Sequence, residues 1–589
     1  MFLSLGLTAS LAAAADLFPL DQIRAGMRGT GRTVFTGERV EEFQVEFLGV
    51  LENIGPRQSI ILGRLTGGPL AKTGAMSGMS GSPVYLEGKL VGAVALAFPF
   101  ATEPIVGIRP IAEMIRMFEQ RADPVPAALR AVIQDGRWLP PENPRLLPAT
   151  YDALPAQPKL TPIATPVHFA GFTARTLEVF GPALRELGLE PLQGSGGAAS
   201  PHSTALGDPS LLQPGSMISV GLVRGDLNVN ADGTITHIDG SRIYAFGHRF
   251  LSSGPTEMPF MRSSVITLLP SLMVSFKIST AAELMGTIRQ DRSAGIYGEL
   301  GKRPQLIPVE LNMYSSRSGN QPYRMEMVND RFLSPFLLQL AVFSAIDATE
   351  RLLGSSTVRV QGAIEFAGAT TPVKLDNIYS GDTSTALLTA LGTALPLAQV
   401  VQSGFQDLRV ARVKLDVSSL DERKQLKLER AWASQREVKP GGSVEVAAVL
   451  RGENGAETIR RVPLEIPSGM PPGPLSITFA DGPSMNLMDL RAPNSGGEPN
   501  SGAQLVRAIN RTRRNSRLYV RVWRTDKGFQ LQNDHLPSPP TSLRQILGAG
   551  PSASGGITNT WTAMVADMEL DVAPSTVSGS ETIRITVKE

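Results

Sequence analysis

The chain reads as a mainly β protein: two barrel-like lobes followed by a C-terminal sandwich-like region. Two observations predict this. Short runs in which apolar and polar residues alternate, such as Phe43-Gln-Val-Glu-Phe-Leu-Gly-Val50, recur between Gly-centred turns, the period of half-buried strands. The composition agrees, since 58 Gly and 45 Pro among 589 residues, with 42% hydrophobic and 19% charged, suit a turn-rich β fold better than a helical or disordered one. A chain of this length exceeds one compact core, so two to four domains are expected.

Residues 1–15 run apolar through Leu3, Leu5, Leu7 and Leu11 to Ala12-Ala-Ala-Ala15, which resembles a signal-peptide core with an Ala-x-Ala cleavage site. That predicts export to a periplasm or beyond. Residues 16–120 form the first lobe, with alternating runs at Phe43–Val50 and Ser59–Leu62. Residues 121–214 are rich in Pro, Ala, Gly and Ser and read as a connector carrying one helix near Ala174–Leu187. Residues 215–417 form the second lobe, opening on Gly215-Ser-Met-Ile-Ser-Val-Gly-Leu-Val223 and including two apolar runs. Those runs, Phe336–Ile346 and Ala386–Val401, are shorter than the roughly 20 residues of a membrane span and predict buried helices, so no stable span is expected after signal removal. Residues 418–589 alternate at Val444, Val446 and Ala448, at Leu518, Val520 and Val522, and at Ile583, Ile585 and Val587, the pattern of a β-sandwich.

Charge and composition exclude several classes. A net charge of +2 gives no global field for nucleic acid or anionic lipid. The cluster Arg507, Arg511, Arg513, Arg514 and Arg517 lacks interleaved aromatics and reads as a solvated face. With 0 Cys there are no disulfides and no thiolate chemistry. Isolated histidines and the absence of metal-ligand spacing predict no metal, no phosphate loop is present, and no cofactor is required. Trp432 reads as a sandwich core residue.

The chemistry concentrates at Gly78-Met79-Ser80-Gly81-Ser82-Pro83. Small residues on both sides of Ser80 let the backbone fold back, so that the N–H groups of Gly78 and Ser80 converge on one point and can hold a developing oxyanion. A hairpin follows, strand Val84–Leu86, turn Glu87-Gly-Lys89 and strand Leu90–Leu96. A serine nucleophile needs a base, and the chain has 5 His. His168, His202, His237 and His535 lie in less suitable surroundings, whereas His248 follows a strand that ends at Gly247, where its ring emerges at a strand end.

The loop resembles the nucleophile loop of trypsin-like proteases. Together with Ala245-Phe-Gly-His-Arg-Phe250 and Gly286-Thr-Ile-Arg-Gln-Asp-Arg-Ser-Ala-Gly-Ile-Tyr-Gly298, it resembles the SpoIVB family of serine endopeptidases. The resemblance covers roughly residues 28–118 and 215–310. It implies a two-lobed, trypsin-like β-barrel peptidase in which Ser80 and His248 are the catalytic pair and the substrate is a protein or peptide, the chain itself included. In the sporulation protease the His half comes first; here Ser80 precedes His248, so the halves look permuted, which triad geometry tolerates. No PDZ-like segment is evident. For the orienting acid, trypsin-like proteases place an Asp some tens of residues after the His, which points to Asp291; Asp226 and Asp239 are alternatives, each also readable as a turn carboxylate. A Ser/His dyad without an acid stays open. The reading from another class is a catalytically silent cell-envelope binding or scaffold protein that keeps the protease fold.

Overall fold

The computed structural model describes residues 17–55, 58–98, 101–119, 160–194, 205–315, 319–349, 355–368, 371–382, 385–491, 499–531, 534–536, 540, 542–543, 545, 557–572 and 574–589. The expected signal peptide and much of the expected connector, with His202, lie outside them. The chain divides into two compact units, Met1–Val309 with Tyr323–Ser344, and Glu310–Pro322 with Ala345–Glu589.

The first unit holds two closed barrels. In the first, β1 (Arg28–Val34), β2 (Val40–Gly55), β3 (Gln58–Thr66), β4 (Pro83–Leu86), β5 (Lys89–Ala97) and β6 (Ile105–Pro110) run in the order β4-β1-β2-β3-β6-β5, and β5 pairs back to β4 to close the ring. Alternation decides which side chains fill it: on β2, Phe43, Val45 and Phe47 are buried while Gln44 and Glu46 between them are not. Glycines on β1 make room for those rings. A Cβ on Gly31 would lie 2.1 Å from Phe43 Cζ, and one on Gly29 would lie 2.2 Å from the Tyr85 carbonyl oxygen. The helix Ile111–Glu119 follows β6 and caps the barrel with Ile111, Met114 and Phe118.

Between the barrels come β7 (Thr161–Pro162), β8 (Thr165–Ala170) and β9 (Leu189–Gln193). β8 and β9 are parallel, joined by the helix Ala174–Glu186, and β8 extends the second barrel by pairing with β11. This part of the expected connector is therefore folded structure. Its buried Phe180 packs edge-on against Phe336 and Phe343 of the helix Leu333–Thr349. The second barrel comprises β10 (Met217–Gly225), β11 (Asn228–Asp239), β12 (Arg242–Ala245), β13 (Gly254–Leu269), β14 (Phe276–Arg292) and β15 (Gly295–Leu300). The order β10-β13-β14-β15-β12-β11 closes through a β10–β11 pairing. Two closed six-stranded barrels match the mainly β, two-lobed fold expected from the sequence.

The second unit, Glu310–Pro322 with Ala345–Glu589, takes in part of the stretch 215–417 as well as residues 418–589. Strands Ser356–Phe366, Val373–Gly381 and Val410–Leu420 form an antiparallel group on which the helix Thr385–Gln402 packs. By length and composition that helix is apolar enough to cross a membrane; here its Thr389, Ala390, Thr393, Ala394 and Leu397 are buried, and the Thr389 and Thr393 hydroxyls donate to carbonyls one turn back. The rest is a sandwich whose core interleaves Val444, Val446 and Leu450 of one sheet with Leu475, Ile477, Phe479, Val520 and Ile585 of the other. Within it Arg513 pairs with Asp489 and Asp567, Arg514 with Asp376, and Arg517 with Glu569, so these arginines are engaged with carboxylates.

The β1 glycines and the Phe43 ring fill one volume between them, so changing either side is costly. Phe43→Ala is expected to cost about 3–5 kcal/mol and Gly31→Ala about 1–3 kcal/mol. Denaturant unfolding checks both, and unchanged midpoints would show that this packing is not what holds the first barrel.

Candidate active site

The loop between the short helix Leu70–Thr73 and β4 is tied down from both sides. Met76 and Met79 are fully buried among the first barrel's core residues and act as two plugs flanking Ser77 and Gly78. Ser82 closes the turn, its N–H and its hydroxyl both donating to the Met79 carbonyl at 2.9 and 2.6 Å. The Gly81 N–H donates to the Val94 carbonyl on β5 at 2.7 Å.

The second barrel holds four further carbonyls of the loop. The Thr234 N–H donates to Ser80 O at 2.9 Å, the Thr234 hydroxyl to Gly78 O at 2.9 Å, and the Thr236 hydroxyl to Gly81 O at 2.7 Å. On β14, Lys277 N–H donates to Ser77 O at 3.2 Å. A trans peptide sends each N–H opposite the preceding carbonyl. Because Ser77 O is turned to β14 and Met79 O to Ser82, the N–H groups of Gly78 and Ser80 are turned away from those partners. Gly78 and Gly81 sit at φ +91° and +94°, where a side chain is strained, and a Cβ on Gly81 would lie 2.0 Å from Thr234 O and 2.5 Å from Phe246 N.

His248 is placed by a second tight bend. After β12, Phe246 and Gly247 both adopt positive φ, +71° and +68°, and the Phe246 ring is clamped over Gly233, where a Cβ would lie 2.3 Å from it. A Cβ on Gly247 would meet Ala93 and Ala95 at 2.9 and 3.1 Å and Val94 O at 3.4 Å. Val94 O is also the acceptor for Gly81 N–H, so the two bends meet at one stretch of β5 and bring Ser80 and His248 into one region.

His248 is 3% exposed, and its Nδ1 lies 2.7 Å from the Arg249 carbonyl oxygen. A carbonyl only accepts, so Nδ1 carries the proton and Nε2 presents its lone pair. Burial brings His248 down to about 4, with the Arg249 carbonyl opposing and the Arg109 guanidinium adding to the fall. Nε2 is buried without a hydrogen-bond partner, and so is Ser80 Oγ, which means that the two are not bonded to each other in this structure.

Asp291 is buried but does not bond to His248. Its Oδ1 accepts from Phe250 N–H at 2.9 Å, and its Oδ2 from Leu251 N–H at 2.6 Å, Ser253 N–H at 3.1 Å and the Ser253 hydroxyl at 3.4 Å. Burial raises its pKa, and those N–H groups oppose the rise. The expected orienting acid is thus a clamp on the segment following His248, and the Arg249 carbonyl stands where the acid would. Of the alternatives, Asp226 accepts from Arg324 N–H at 2.7 Å and Asp239 is exposed at the β11–β12 turn.

Sequence reasoning missed Arg109, whose charge bears on His248, and a buried polar group on β11 and β14. Asp232 accepts from the Ser219 and Ser279 hydroxyls and lies 3.1 Å from His168 Nε2, while the Lys277 ammonium donates to Thr33 Oγ1 at 2.8 Å. Asp232, Thr234 and Thr236 alternate with Ala231, Gly233 and Ile235 in line with Asn228 and Asn230, a pattern that reads as an ordinary solvent face, so the sequence carried no distinct signal for them. Among the described residues no group of three or more His, Asp or Glu is arranged to hold a metal.

The SpoIVB peptidase S55 family model matches residues 17–114, a span that contains all six strands of the first barrel and Ser80. This stretch of the chain is similar to SpoIVB-type peptidases. No curated protein and no solved structure matches the chain.

Removing the clamp leaves three backbone donors without their acceptor. Asp291→Ala is expected to destabilise by about 1–3 kcal/mol and to speed amide hydrogen exchange across residues 248–253 relative to the rest of the barrel. Unchanged exchange there would show that Asp291 does not hold the His248 segment.

Proposed function

We propose that this chain is an exported serine endopeptidase of SpoIVB type, acting on protein or peptide substrates in the cell envelope, with Ser80 as nucleophile and His248 as base. One observation carries the reading: two bends, each built on positive-φ residues, meet at Val94, and each delivers a buried group with no hydrogen-bond partner, Ser80 Oγ and His248 Nε2. Leaving buried polar atoms unpaired costs stability, and such atoms gather where chemistry needs them free.

The residues divide the work as follows. His248, neutral and protonated on Nδ1, takes the Ser80 proton on Nε2 as Oγ attacks the scissile carbonyl. The imidazolium keeps its bond to the Arg249 carbonyl and returns the proton to the leaving amine. The N–H groups of Gly78 and Ser80 receive the oxyanion, each such donor being worth about 2.7–4 kcal/mol of barrier. Asp291 acts through the 250–253 segment, fixing where the imidazole sits. Substrate binding closes the gap between Oγ and Nε2, in keeping with catalytic bonds that tighten only when substrate is bound.

The second reading, a silent binding or scaffold protein with this fold, is favoured by the complete burial of Ser80 and by the unmade Oγ–Nε2 bond. A fluorophosphonate probe separates the two. The peptidase forms an adduct on Ser80, located by peptide mass spectrometry, and His248→Ala slows it by about 100-fold or more. Since Nε2 must be unprotonated, the labelling rate falls as pH drops through about 4. A protein that leaves Ser80 unmodified at every pH is the scaffold.

A further inference from the structure

Lys277 is a fully buried lysine that the mechanism above does not use. It lies on β14, and its ammonium reaches across to β1 of the other barrel, donating to Thr33 Oγ1 at 2.8 Å. Its stem covers Gly78: a Cβ on that glycine would lie 3.3 Å from Lys277 Cδ, 3.4 Å from Cγ and 3.5 Å from Cβ. The ammonium is two bonds beyond Cδ. Its main chain also holds the loop, through the N–H donated to Ser77 O.

Packing does not require the charge. An unbranched apolar side chain would fill the same space without the desolvation penalty of a buried ammonium. The segment Thr73–Pro83 contains no acid or base, so the loop offers no counter-charge. The charged and titratable groups facing Lys277 are Asp232 on β11 and, beyond it, His168 on β8; β1 contributes only the Thr33 hydroxyl and β14 only Ser279. A positive charge is therefore held two bonds beyond the stem that covers Gly78, and Asp232, the carboxylate that faces it, is bonded to the Ser219 and Ser279 hydroxyls and lies beside His168.

We propose that Lys277 is a positioning residue of the nucleophile loop, its stem setting the Gly78 peptide and its ammonium making that corner of the interior positive where the oxyanion forms. The proposal rests on Ser80 being the nucleophile. Burial brings Lys277 down to about 7, partly offset by Asp232, so the charge is present below that pH and lost above it. The expected labelling profile of wild type is then a bell, rising as His248 becomes neutral through about 4 and falling as Lys277 loses its proton through about 7.

The test is fluorophosphonate labelling of Ser80 from pH 3.5 to 9 (about the range over which both groups titrate) in the full chain and its Lys277→Met, Lys277→Arg and His168→Gln variants. Lys277→Met is expected to label about 10–100-fold more slowly at pH about 5.5, less than the roughly 100–1000-fold for loss of a donor that bonds the oxyanion directly, and to lack the alkaline limb. Lys277→Arg keeps its charge throughout, so it also lacks that limb while retaining more of the rate; should the Met variant fail to fold, it carries the test alone. His168, which Asp232 raises above its ordinary value against the effect of burial, titrates nearby, and His168→Gln is expected to keep the limb. An alkaline limb unchanged in the Lys277 variants, a limb lost in His168→Gln, or a rate that rises through pH about 7 as it would for a lysine base overturns the proposal. Wild type unlabelled at Ser80 overturns the serine reading itself, a result seen before any variant is made.

Discussion

The site depends on one close approach, the edge of the Gly81 peptide against β11 and the bend after β12. With hydrogen in place of a side chain, Gly81 lets the loop of the first barrel lie where any Cβ would strike Thr234 O and Phe246 N. That contact puts Ser80 O on Thr234 N–H and Gly81 O on the Thr236 hydroxyl, so the loop is held in a bonded register instead of resting on the neighbouring barrel. The direction of the Gly78 N–H follows from this docking, through Ser77 O on the Lys277 N–H, and that of the Ser80 N–H from the turn within the loop that puts Met79 O on Ser82.

The same docking leaves an unusual distribution of buried polarity. Carbonyls and hydroxyls along the seam are paired, whereas Ser80 Oγ, Ser77 Oγ and His248 Nε2 are not, and Lys277 and Asp232 are buried with charges that core packing does not call for. Burial of a polar atom without a partner is unfavourable by roughly 1–3 kcal/mol each. Several such atoms within one seam, beside two non-helical bends with positive φ, are what singles this region out as the candidate site.

Local patterns in the sequence were sufficient for the first barrel and the nucleophile loop, because the information is local: β2 alternates, and Gly78, Ser80 and Gly81 stand within four residues of one another. His248 could be singled out because its strand ends at Gly247. The closure of both barrels was not legible, since β4–β5 and β10–β11 pair by register that no single segment encodes. Nor was the part played by Asp291, whose ligands are backbone N–H groups of residues 250, 251 and 253, supplied by a bend and not by side-chain identity. Lys277 and Asp232 escaped notice for a related reason: on alternating strands each looks like an outward-facing charge, and only the packing of β14 and β11 against the nucleophile loop, with Lys277 reaching Thr33 of β1, turns them inward. Within the connector between the lobes the helix near Ala174–Leu187 was legible despite Pro182, whereas β8 was not, since Pro166 within it suggests irregular chain.

The central claim is geometric: the Ser80 loop and the His248 bend assemble one acyl-transfer site. The most direct measurement is a crystal structure of the protein after reaction with diisopropyl fluorophosphate. The account predicts phosphorus bonded to Ser80 Oγ, a phosphoryl oxygen accepting from the N–H groups of Gly78 and Ser80, and His248 Nε2 within hydrogen-bond reach of the adduct while Nδ1 stays on the Arg249 carbonyl. An unmodified Ser80, or an adduct whose oxygen points away from both N–H groups with His248 still buried and unpaired, would contradict it.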